Sequence, residues 1–169
     1  MNIRRAGGDD AEAMLRIYAP IVEQTTTSFE LVTPSVDEFR GRVERSVATH
    51  DWLVAEEDGV ILGYAYGTPH RSRAAYRFSA ETSVYVAEEA RGRGLGSRLY
   101  ERLFASLANR GYYQAFAGVT LPNPASEALH CKVGFRRIGQ FPSIGFKYGN
   151  WHDVAWFYRP LRDGKPDEG

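Results

Sequence analysis

Residues 81–111, ETSVYVAEEARGRGLGSRLYERLFASLANRG, join a strand pattern to an amphipathic helix pattern through a glycine-rich loop. Residues 82–86, TSVYV, show the side-chain alternation of a strand and are rich in β-branched and aromatic side chains, which predicts a strand. A helix is predicted next by leucines that recur every fourth residue, at Leu95, Leu99, Leu103 and Leu107. Gly111 is expected to end that helix. The stretch therefore predicts a strand, a loop and a helix in direct succession.

The loop at residues 91–97, RGRGLGS, has a glycine spacing that is typical of an anion-binding turn. Glycines let the backbone turn without Cβ atoms, so that successive N–H groups can point at an anion at the start of the helix. A Walker A loop is excluded because no Gly-Lys-Ser/Thr follows the glycines, and a dinucleotide fingerprint would need a glycine at Ser97. The pattern Arg-x-x-Gly-x-Gly remains, and we expect it to hold a pyrophosphate.

The composition predicts one domain that binds small molecules. The chain has 169 residues, 43% hydrophobic and 25% charged, which suits a single hydrophobic core. Twenty-one Lys and Arg balance twenty-one Asp and Glu, so no basic field argues for nucleic acid, and no long apolar run argues for a membrane span. Cys131 is the single cysteine and the N-terminal stretch lacks the apolar segment of a secretory signal, so we expect a cytoplasmic protein.

Three more helices are predicted outside the central stretch. Asp9 or Asp10 is expected to cap the first helix, which Pro20 should kink or end. Ser35 should begin the second, over residues 36–48, and Asn123 should cap the third, which residue 134, a glycine, should close.

Strand patterns fill most of the remaining chain. They fall at residues 3–6, 52–56, 60–67, 113–119, 135–138, 145–148 and 154–159. The turn at residues 57–59, Glu-Asp-Gly, predicts an antiparallel hairpin between the second and third of these strands. Hairpins combined with strand–helix–strand crossovers predict an α/β domain, in which a mixed, twisted central sheet is flanked by helices on both faces. We expect this single domain to cover residues 1–161 and residues 162–169 to form a flexible tail.

The loop, the order of elements and the chain length together resemble the GNAT superfamily of N-acetyltransferases, whose acyl-CoA loop matches Arg91, Gly94 and Gly96. The chain is more specifically similar to the phosphinothricin and methionine sulfoximine acetyltransferases over residues 3–161. The most specific matches are residues 81–97, 121–123 and 145–154, the last reading GFKYGNWHDV. The resemblance implies a GNAT-type fold, acetyl-CoA as the acetyl donor, a small-molecule amine as the acceptor, and no metal.

The resemblance also implies which residues hold acetyl-CoA: the backbone of the strand and loop, and the leading Asn of the next helix. The matching residues are Val84, Tyr85, Val86, Arg91, Gly92, Arg93, Gly94, Leu95, Gly96, Ser97 and Asn123. Pantetheine carries amides that can pair with a strand edge, and its pyrophosphate needs the loop N–H groups. The arginines concentrated in this region either meet CoA phosphates or form a solvated helix face balanced by nearby glutamates.

Two residues are candidates for proton transfer. Glu81 stands at the strand entrance, where the resembling branch has a proposed base, although a glutamate at a strand end is often only a solvated charge. His130 stands where most GNAT enzymes have a tyrosine that protonates the leaving thiolate, and the resembling branch has histidine there. Imidazole titrates near neutral pH, so His130 could act as base or acid, or be structural. Cys131 is expected to be a packed small residue.

The acceptor site is expected to lie in the loop at residues 70–78, HRSRAAYRF. Arg73, Tyr76 and Arg77 could clamp an acceptor carboxylate, or they could simply solubilise the surface. Arg73 matches the phosphinothricin type and Arg77 the methionine sulfoximine type, and Phe29 is expected to line the same pocket. The resemblance, carried by the glycine loop, Glu81, His130 and residues 145–154, implies acetyl transfer to the α-amine of a small amino-acid analogue of the phosphinothricin or methionine sulfoximine type. A protein N-terminus or a polyamine as acceptor, or a non-catalytic acyl-CoA sensor, remain as alternatives.

Aromatic residues crowd the end of the chain and predict an interface. Seven of them fall within residues 141–158: Phe141, Phe146, Tyr148, Trp151, Trp156, Phe157 and Tyr158. Aromatic side chains are favoured at interface centres, and the resembling enzymes are dimers. We therefore expect a homodimer.

Overall fold

The computed structural model describes residues 1–166, which form seven strands and four α-helices. The strands are β1 Asn2–Arg5, β2 Trp52–Glu57, β3 Val60–Pro69, β4 Ser79–Val86, β5 Gln114–Thr120, β6 Arg136–Lys147 and β7 Asn150–Pro160. The helices are α1 Ala11–Gln24, α2 Val36–Thr49, α3 Leu95–Asn109 and α4 Pro124–Lys132. No helix within the described residues is long and apolar enough to cross a membrane.

The seven strands form one sheet in the order β1-β2-β3-β4-β5-β7-β6. Every neighbouring pair is antiparallel except β4 and β5, which are parallel. This parallel pair is joined only through residues 79–81 and 114–116, near the start of each strand. The remaining parts of β4 and β5 do not pair with each other, so the sheet opens into a cleft at its centre.

Helices cover both faces of the sheet, which confirms the predicted mixed α/β fold. On the front face, α1 and α2 bury Met14 and Val43 against Trp52 and Tyr64 of the sheet. On the back face, α3 buries its predicted leucine stripe together with alanines of β3, β4, β5 and β7. The leucine stripe is buried because its four-residue spacing keeps it on the side of α3 that faces the sheet.

Local signals in the sequence are confirmed where a few neighbouring residues decide the geometry. Asp58 and Gly59 both have positive φ, 51° and 79°, and form the tight turn between β2 and β3. The Asn123 side chain accepts a hydrogen bond from the Ser126 N–H at 3.1 Å and caps α4. Ser35 caps α2 in the same way.

Of the two outcomes expected at Pro20, a kink or the end of the first helix, the end is wrong. The helix α1 continues beyond it to Gln24. Ile21 and Val22, in the turn after the proline, are buried in the core, and Pro20 itself is exposed. Burial of these apolar side chains therefore keeps the last turn helical although Pro20 cannot donate a backbone hydrogen bond.

The two strands predicted at residues 135–138 and 145–148 are one long edge strand, β6. Pro142 and Ser143 lie where its pairing with β7 changes register, and Ser143 has a φ of 50°. Asp153 of β7 accepts hydrogen bonds from the Ser143 N–H and the Gln140 side chain, which holds this bulge in place. A proline is tolerated here because an edge strand needs no donor on its free side.

The tail predicted at residues 162–169 is described only in part. The Arg162 guanidinium lies over the Tyr113 ring, and the Tyr113 hydroxyl donates to the Lys165 carbonyl at 3.0 Å. Residues 167–169 lie outside the described part of the chain. The flexibility of this tail stays a prediction.

Candidate active site

A groove of about 550 Å³ runs along the second half of β4, over the loop at residues 91–97 and against α4. All the residues predicted to bind acetyl-CoA line it except Arg93. Thr25 and Thr27, from the connection between α1 and α2, lie on the opposite wall. The structure therefore gathers the predicted cofactor residues around one concave surface.

Two glycines give the loop its shape. Gly92 and Gly94 have φ values of 77° and 74°, the left-handed region that favours glycine. A Cβ built on either one would have no atom of the rest of the chain within 4 Å. The space beside the loop is therefore free for a ligand to approach the backbone, as anion binding by N–H groups requires.

Gly96 meets a packing requirement in addition to lining the groove. It lies in the first turn of α3, and a Cβ there would come within 3.0 Å of the Leu129 side chain of α4. The absence of a side chain therefore lets α3 and α4 pack closely.

Positive charge at the groove comes from one expected and one unexpected residue. Arg91 and Lys132 both line the groove. Arg93 instead binds the Glu57 carboxylate at 2.8 Å, outside the groove. Lys132 stands in the last turn of α4, and sequence reasoning missed it because nothing in the sequence places that turn beside the loop.

The cleft between β4 and β5 continues from the groove into the sheet. Its walls include Val84 and Tyr85 of β4, Gly118 and Val119 of β5, and His130 of α4. Because β4 pairs with β5 only through residues 79–81, the backbone of β4 beyond that point has one edge without a strand partner. That edge offers N–H and C=O groups to an amide-bearing chain such as pantetheine.

Glu81 lies on the front face of β4, at the last position where β4 pairs with β5 before the cleft begins. It is paired across the sheet with Thr68 of β3, and its side chain is 37% exposed. Its carboxylate oxygen Oε2 lies 3.2 Å from Nδ1 of His70. Burial raises the pKa of Glu81, while His70 and the nearby Arg71 act in the opposite direction. A carboxylate with a raised pKa binds a proton more strongly than a fully solvated carboxylate, so it is the better base.

His130 is buried on the back face, and both of its ring nitrogens have partners. Nδ1 lies 2.7 Å from the carbonyl oxygen of Ser126, and Nε2 lies 3.0 Å from the Tyr100 hydroxyl. A carbonyl can only accept, so the neutral ring carries its hydrogen on Nδ1 and accepts from Tyr100 at Nε2. Burial lowers the pKa of His130, and the bond to Ser126 opposes that shift.

The structure does not bring Glu81 and His130 into one pocket. Successive residues of a strand point to opposite faces, so Glu81 points forward and Thr82 points back. The Thr82 hydroxyl lies beside Tyr100, the partner of His130, whereas Glu81 contacts His70. The two residues therefore flank the cleft from opposite faces and cannot exchange a proton directly.

The predicted acceptor residues are all exposed but differ in their surroundings. The Tyr76 ring lies edge-on to His70, with centroids 6.3 Å apart, which places it near Glu81. The Arg77 guanidinium lies 4.5 Å from the Phe78 ring centroid and donates to the Ala74 carbonyl, so it is engaged locally. Within the described residues, the Arg73 guanidinium makes neither kind of contact.

His70 and Arg71 were missed by sequence reasoning, although they belong to the same loop as the predicted residues. Thr68 pairs with Glu81, so His70, two residues further along the chain, is a diagonal neighbour of Glu81 on the same face of the sheet. Nothing in the sequence alone fixes this register.

The GFKYGNWHDV segment connects the C-terminal hairpin to the α1–α2 connection. The Lys147 ammonium is buried, 3% exposed, and donates to the carbonyls of Val22 and Ser28 at 2.6 and 2.8 Å. A Cβ at Gly145 would come within 2.2 Å of the Phe29 ring. Phe29 is therefore held against the hairpin, on the same side of the cleft as Thr27.

Comparison with known proteins agrees with this geometry. Residues 14–135 match the model of the Acetyltransferase (GNAT) family. Phosphinothricin N-acetyltransferase of Alcaligenes faecalis is 43% identical over 164 residues, 96% of this chain and 83% of that protein. L-methionine sulfoximine/L-methionine sulfone acetyltransferase of Salmonella typhimurium is 35% identical over 162 residues, 95% of each chain. A phosphinothricin acetyltransferase of Sinorhizobium meliloti, solved with acetyl-CoA, superposes with a TM-score of 0.94 at 35% identity, over 99% of this chain and 94% of that one.

Proposed function

This chain belongs to the GNAT family of acetyltransferases, and we propose that it transfers the acetyl group of acetyl-CoA to the α-amine of a small amino-acid analogue of the phosphinothricin or methionine sulfoximine type. The observation that carries the proposal is the groove that leads from the loop at residues 91–97 into the cleft beside Glu81. One end of that path suits a pyrophosphate, and the other suits an amine beside a carboxylate.

The groove supports acetyl-CoA as the donor, whose thioester supplies an activated carbonyl. In this proposal the loop N–H groups around Gly92 and Gly94 hold the pyrophosphate. Arg91 and Lys132 add positive charge beside it. The free backbone edge of β4 holds the pantetheine amides and directs the thioester into the cleft.

Glu81 is the proposed base for the amine. An ammonium group cannot attack a carbonyl, so a proton must leave it first. Glu81 faces the front of the sheet, where a small acceptor can reach it, and its carboxylate accepts that proton. Burial, which raises the pKa of Glu81, makes it a stronger base than a solvated glutamate.

His130 is proposed to act on the opposite side, where the thiolate leaves, and its route runs through Tyr100. The neutral ring accepts a hydrogen bond from the Tyr100 hydroxyl at Nε2. Nε2 first takes a proton from solvent, which reverses that bond and lets the Tyr100 hydroxyl point into the cleft that both residues line. Tyr100 then gives its hydrogen to the thiolate and regains one from Nε2–H, so the ring returns to its neutral form. His130 thus serves thiolate protonation, and Glu81 serves amine deprotonation.

The acceptor carboxylate is assigned to Arg73, with Tyr76 beside it and Phe29 forming an apolar wall. Arg73 is preferred over Arg77 because the Arg77 guanidinium already packs on Phe78. Arginine presents paired donors that match a carboxylate or phosphinate. Arg73→Ala should raise the Michaelis constant of such an acceptor and leave that of acetyl-CoA unchanged, and Arg77→Ala is the matched control.

The experiment is release of free thiol from acetyl-CoA with phosphinothricin, methionine sulfoximine, methionine sulfone, short peptides and spermidine as acceptors. We expect release that depends on the amino-acid analogues. Preference for peptides or spermidine would replace the acceptor assignment by a protein N-terminus or polyamine. Binding of acetyl-CoA without turnover of any acceptor would instead make the protein a sensor.

A further inference from the structure

His70 follows β3 directly, and its imidazole lies beside the carboxylate of Glu81 on β4. Nδ1 of His70 and Oε2 of Glu81 are 3.2 Å apart, and the His70 side chain is only 13% exposed. No role was assigned to this residue in the proposed reaction. A histidine in contact with a base nevertheless bears on how that base works.

Aromatic rings from three parts of the chain hold the His70 ring in place. It stacks on Phe116 of β5, with centroids 4.7 Å apart and planes inclined by 20°. Trp156 of β7 and Tyr76 of the loop between β3 and β4 approach the His70 ring edge-on, with ring centroids 5.6 and 6.3 Å away. The ring therefore has little freedom to turn, and Nδ1 is kept toward Glu81.

The chemistry of the pair sets the direction of the hydrogen bond. An ionised carboxylate can only accept, so Nδ1 of His70 carries the hydrogen and donates it to Oε2. A hydrogen bond of this kind favours the ionised carboxylate over the protonated one. The bond occupies one oxygen and leaves Oε1 available to the acceptor amine.

Few other groups influence this pair. Arg71, next in the chain, also favours ionised Glu81, whereas burial disfavours it. Within the described residues, Tyr66 of β3 also feels the charge of Glu81, and burial raises the pKa of Tyr66 so that it stays neutral. Phe116 and Trp156, from β5 and β7, carry no charge. His70 is thus the group that binds the Glu81 carboxylate directly.

We propose that His70 is a positioning residue for the acetyl transfer: its Nδ1–H binds Oε2 of Glu81, orients the carboxylate, and keeps it ready to accept the proton of the acceptor amine. This inference rests on the proposed role of Glu81 as the base. His70 itself does not contact the reacting atoms in this scheme.

Two substitutions separate the hydrogen bond from the ring. His70→Phe keeps the stack on Phe116 but removes the donor. His70→Asn places an amide N–H near the position of Nδ1 but removes the aromatic ring. Acceptor kcat/KM should fall roughly tenfold or more in His70→Phe, because the carboxylate loses a strong hydrogen bond that orients it and favours its ionised, proton-accepting form. His70→Asn should recover most of that loss, and the acetyl-CoA Michaelis constant should not change in either.

The pH profile distinguishes positioning from a structural role. Loss of the donor raises the pKa of Glu81, so the acidic limb of kcat/KM should move to higher pH in His70→Phe and stay near the wild-type position in His70→Asn. A His70→Phe enzyme with an unaltered rate and acidic limb overturns the proposal. So does a His70→Asn enzyme as impaired as His70→Phe, because the donor would then not be the feature that matters.

A readout without turnover keeps this test separate from the test of the proposed function. Carbon-13 NMR of the Glu81 carboxyl carbon, assigned by its loss in Glu81→Gln, follows its titration in the resting protein. The titration should move to higher pH in His70→Phe whether or not an acceptor is known. If it does not move, the His70 proposal fails. If it moves but no acceptor is acetylated by the wild type, the proposed function fails instead.

Discussion

The sharpest prediction concerns Gly94, at the start of α3. Its φ of 74° lies in the left-handed region, where a β-branched residue is strained. Such strain costs about 1–3 kcal/mol. No other atom of the chain lies within 4 Å of a Cβ built there, so Gly94→Val adds no internal clash to this strain. The variant should therefore fold with reduced stability.

The open space beside Gly94 also determines the expected effect on acetyl-CoA binding. In Gly94→Val the valine methyl groups occupy the side of the loop that is proposed to receive the pyrophosphate, and the strained backbone moves its N–H groups. A loss of about 1.4 kcal/mol in binding raises a dissociation constant tenfold. We therefore expect the acetyl-CoA Michaelis constant and its dissociation constant by calorimetry to rise roughly tenfold or more, with the acceptor constant nearly unchanged.

Gly111→Val is the matched control, because it adds the same strain at the other end of the same helix. Gly111 has a φ of 92° and equally open space beside its Cβ position. The helix α3 has 15 residues, so the two sites are separated by about 22 Å at 1.5 Å per residue. Both variants should lower the melting temperature by several degrees, at about 2–4 °C per kcal/mol for a domain of this size.

Only Gly94→Val should weaken acetyl-CoA binding. A folded Gly94→Val protein with an unchanged acetyl-CoA constant would refute the assignment of this loop as the pyrophosphate site. An equal loss of binding in Gly111→Val would show that general destabilisation, and not the loop, was responsible.

Three further predictions follow from other parts of the molecule. Light scattering of the protein should give about twice the 19.0 kDa chain mass, as expected of a homodimer. The double variant Ile144→Lys, Trp151→Asp should be a monomer, because both side chains are more than half exposed on the C-terminal hairpin. A wild-type mass of one chain would contradict this prediction. Lys147→Met should lower the melting temperature because the Ser28 carbonyl loses its buried partner and the Val22 carbonyl keeps only the Tyr148 hydroxyl, whereas Lys132→Met, an exposed control, should not. Burial lowers the pKa of His50 to about 4, so the free energy of unfolding should fall as pH drops from about 6.5 toward 4, and His50→Phe should weaken that dependence in urea titrations.

Several features could be predicted from the sequence because they depend on residues close together in the chain. The left-handed turn at Gly94 and the hairpin at residues 57–59 need only glycine in the right place. The Asn123 cap needs only an acceptor three residues before the N–H of Ser126. The leucine stripe of α3 needs only its four-residue spacing. Such local rules sufficed to predict the mixed α/β fold and the glycine turn that leads into α3.

Features that depend on residues far apart in the chain could not be predicted from local sequence patterns. Pro142 interrupts a strand pattern, yet β6 continues past it because Asp153, on the neighbouring strand, holds the bulge. Lys147 reads as a surface lysine, yet the connection after α1 buries it and supplies its carbonyl partners.

The relation between the two proposed proton-transfer residues was decided by the tertiary structure alone. Sequence identified Glu81 and His130 separately, but the alternation of β4 and the packing of α4 place them on opposite faces of the sheet. The contact of His70 with Glu81 depends on the register between β3 and β4 and on rings from β5 and β7. The sequence determines which chemical groups are present. The distances between those groups are set by strand register and packing, which involve residues far apart in the chain.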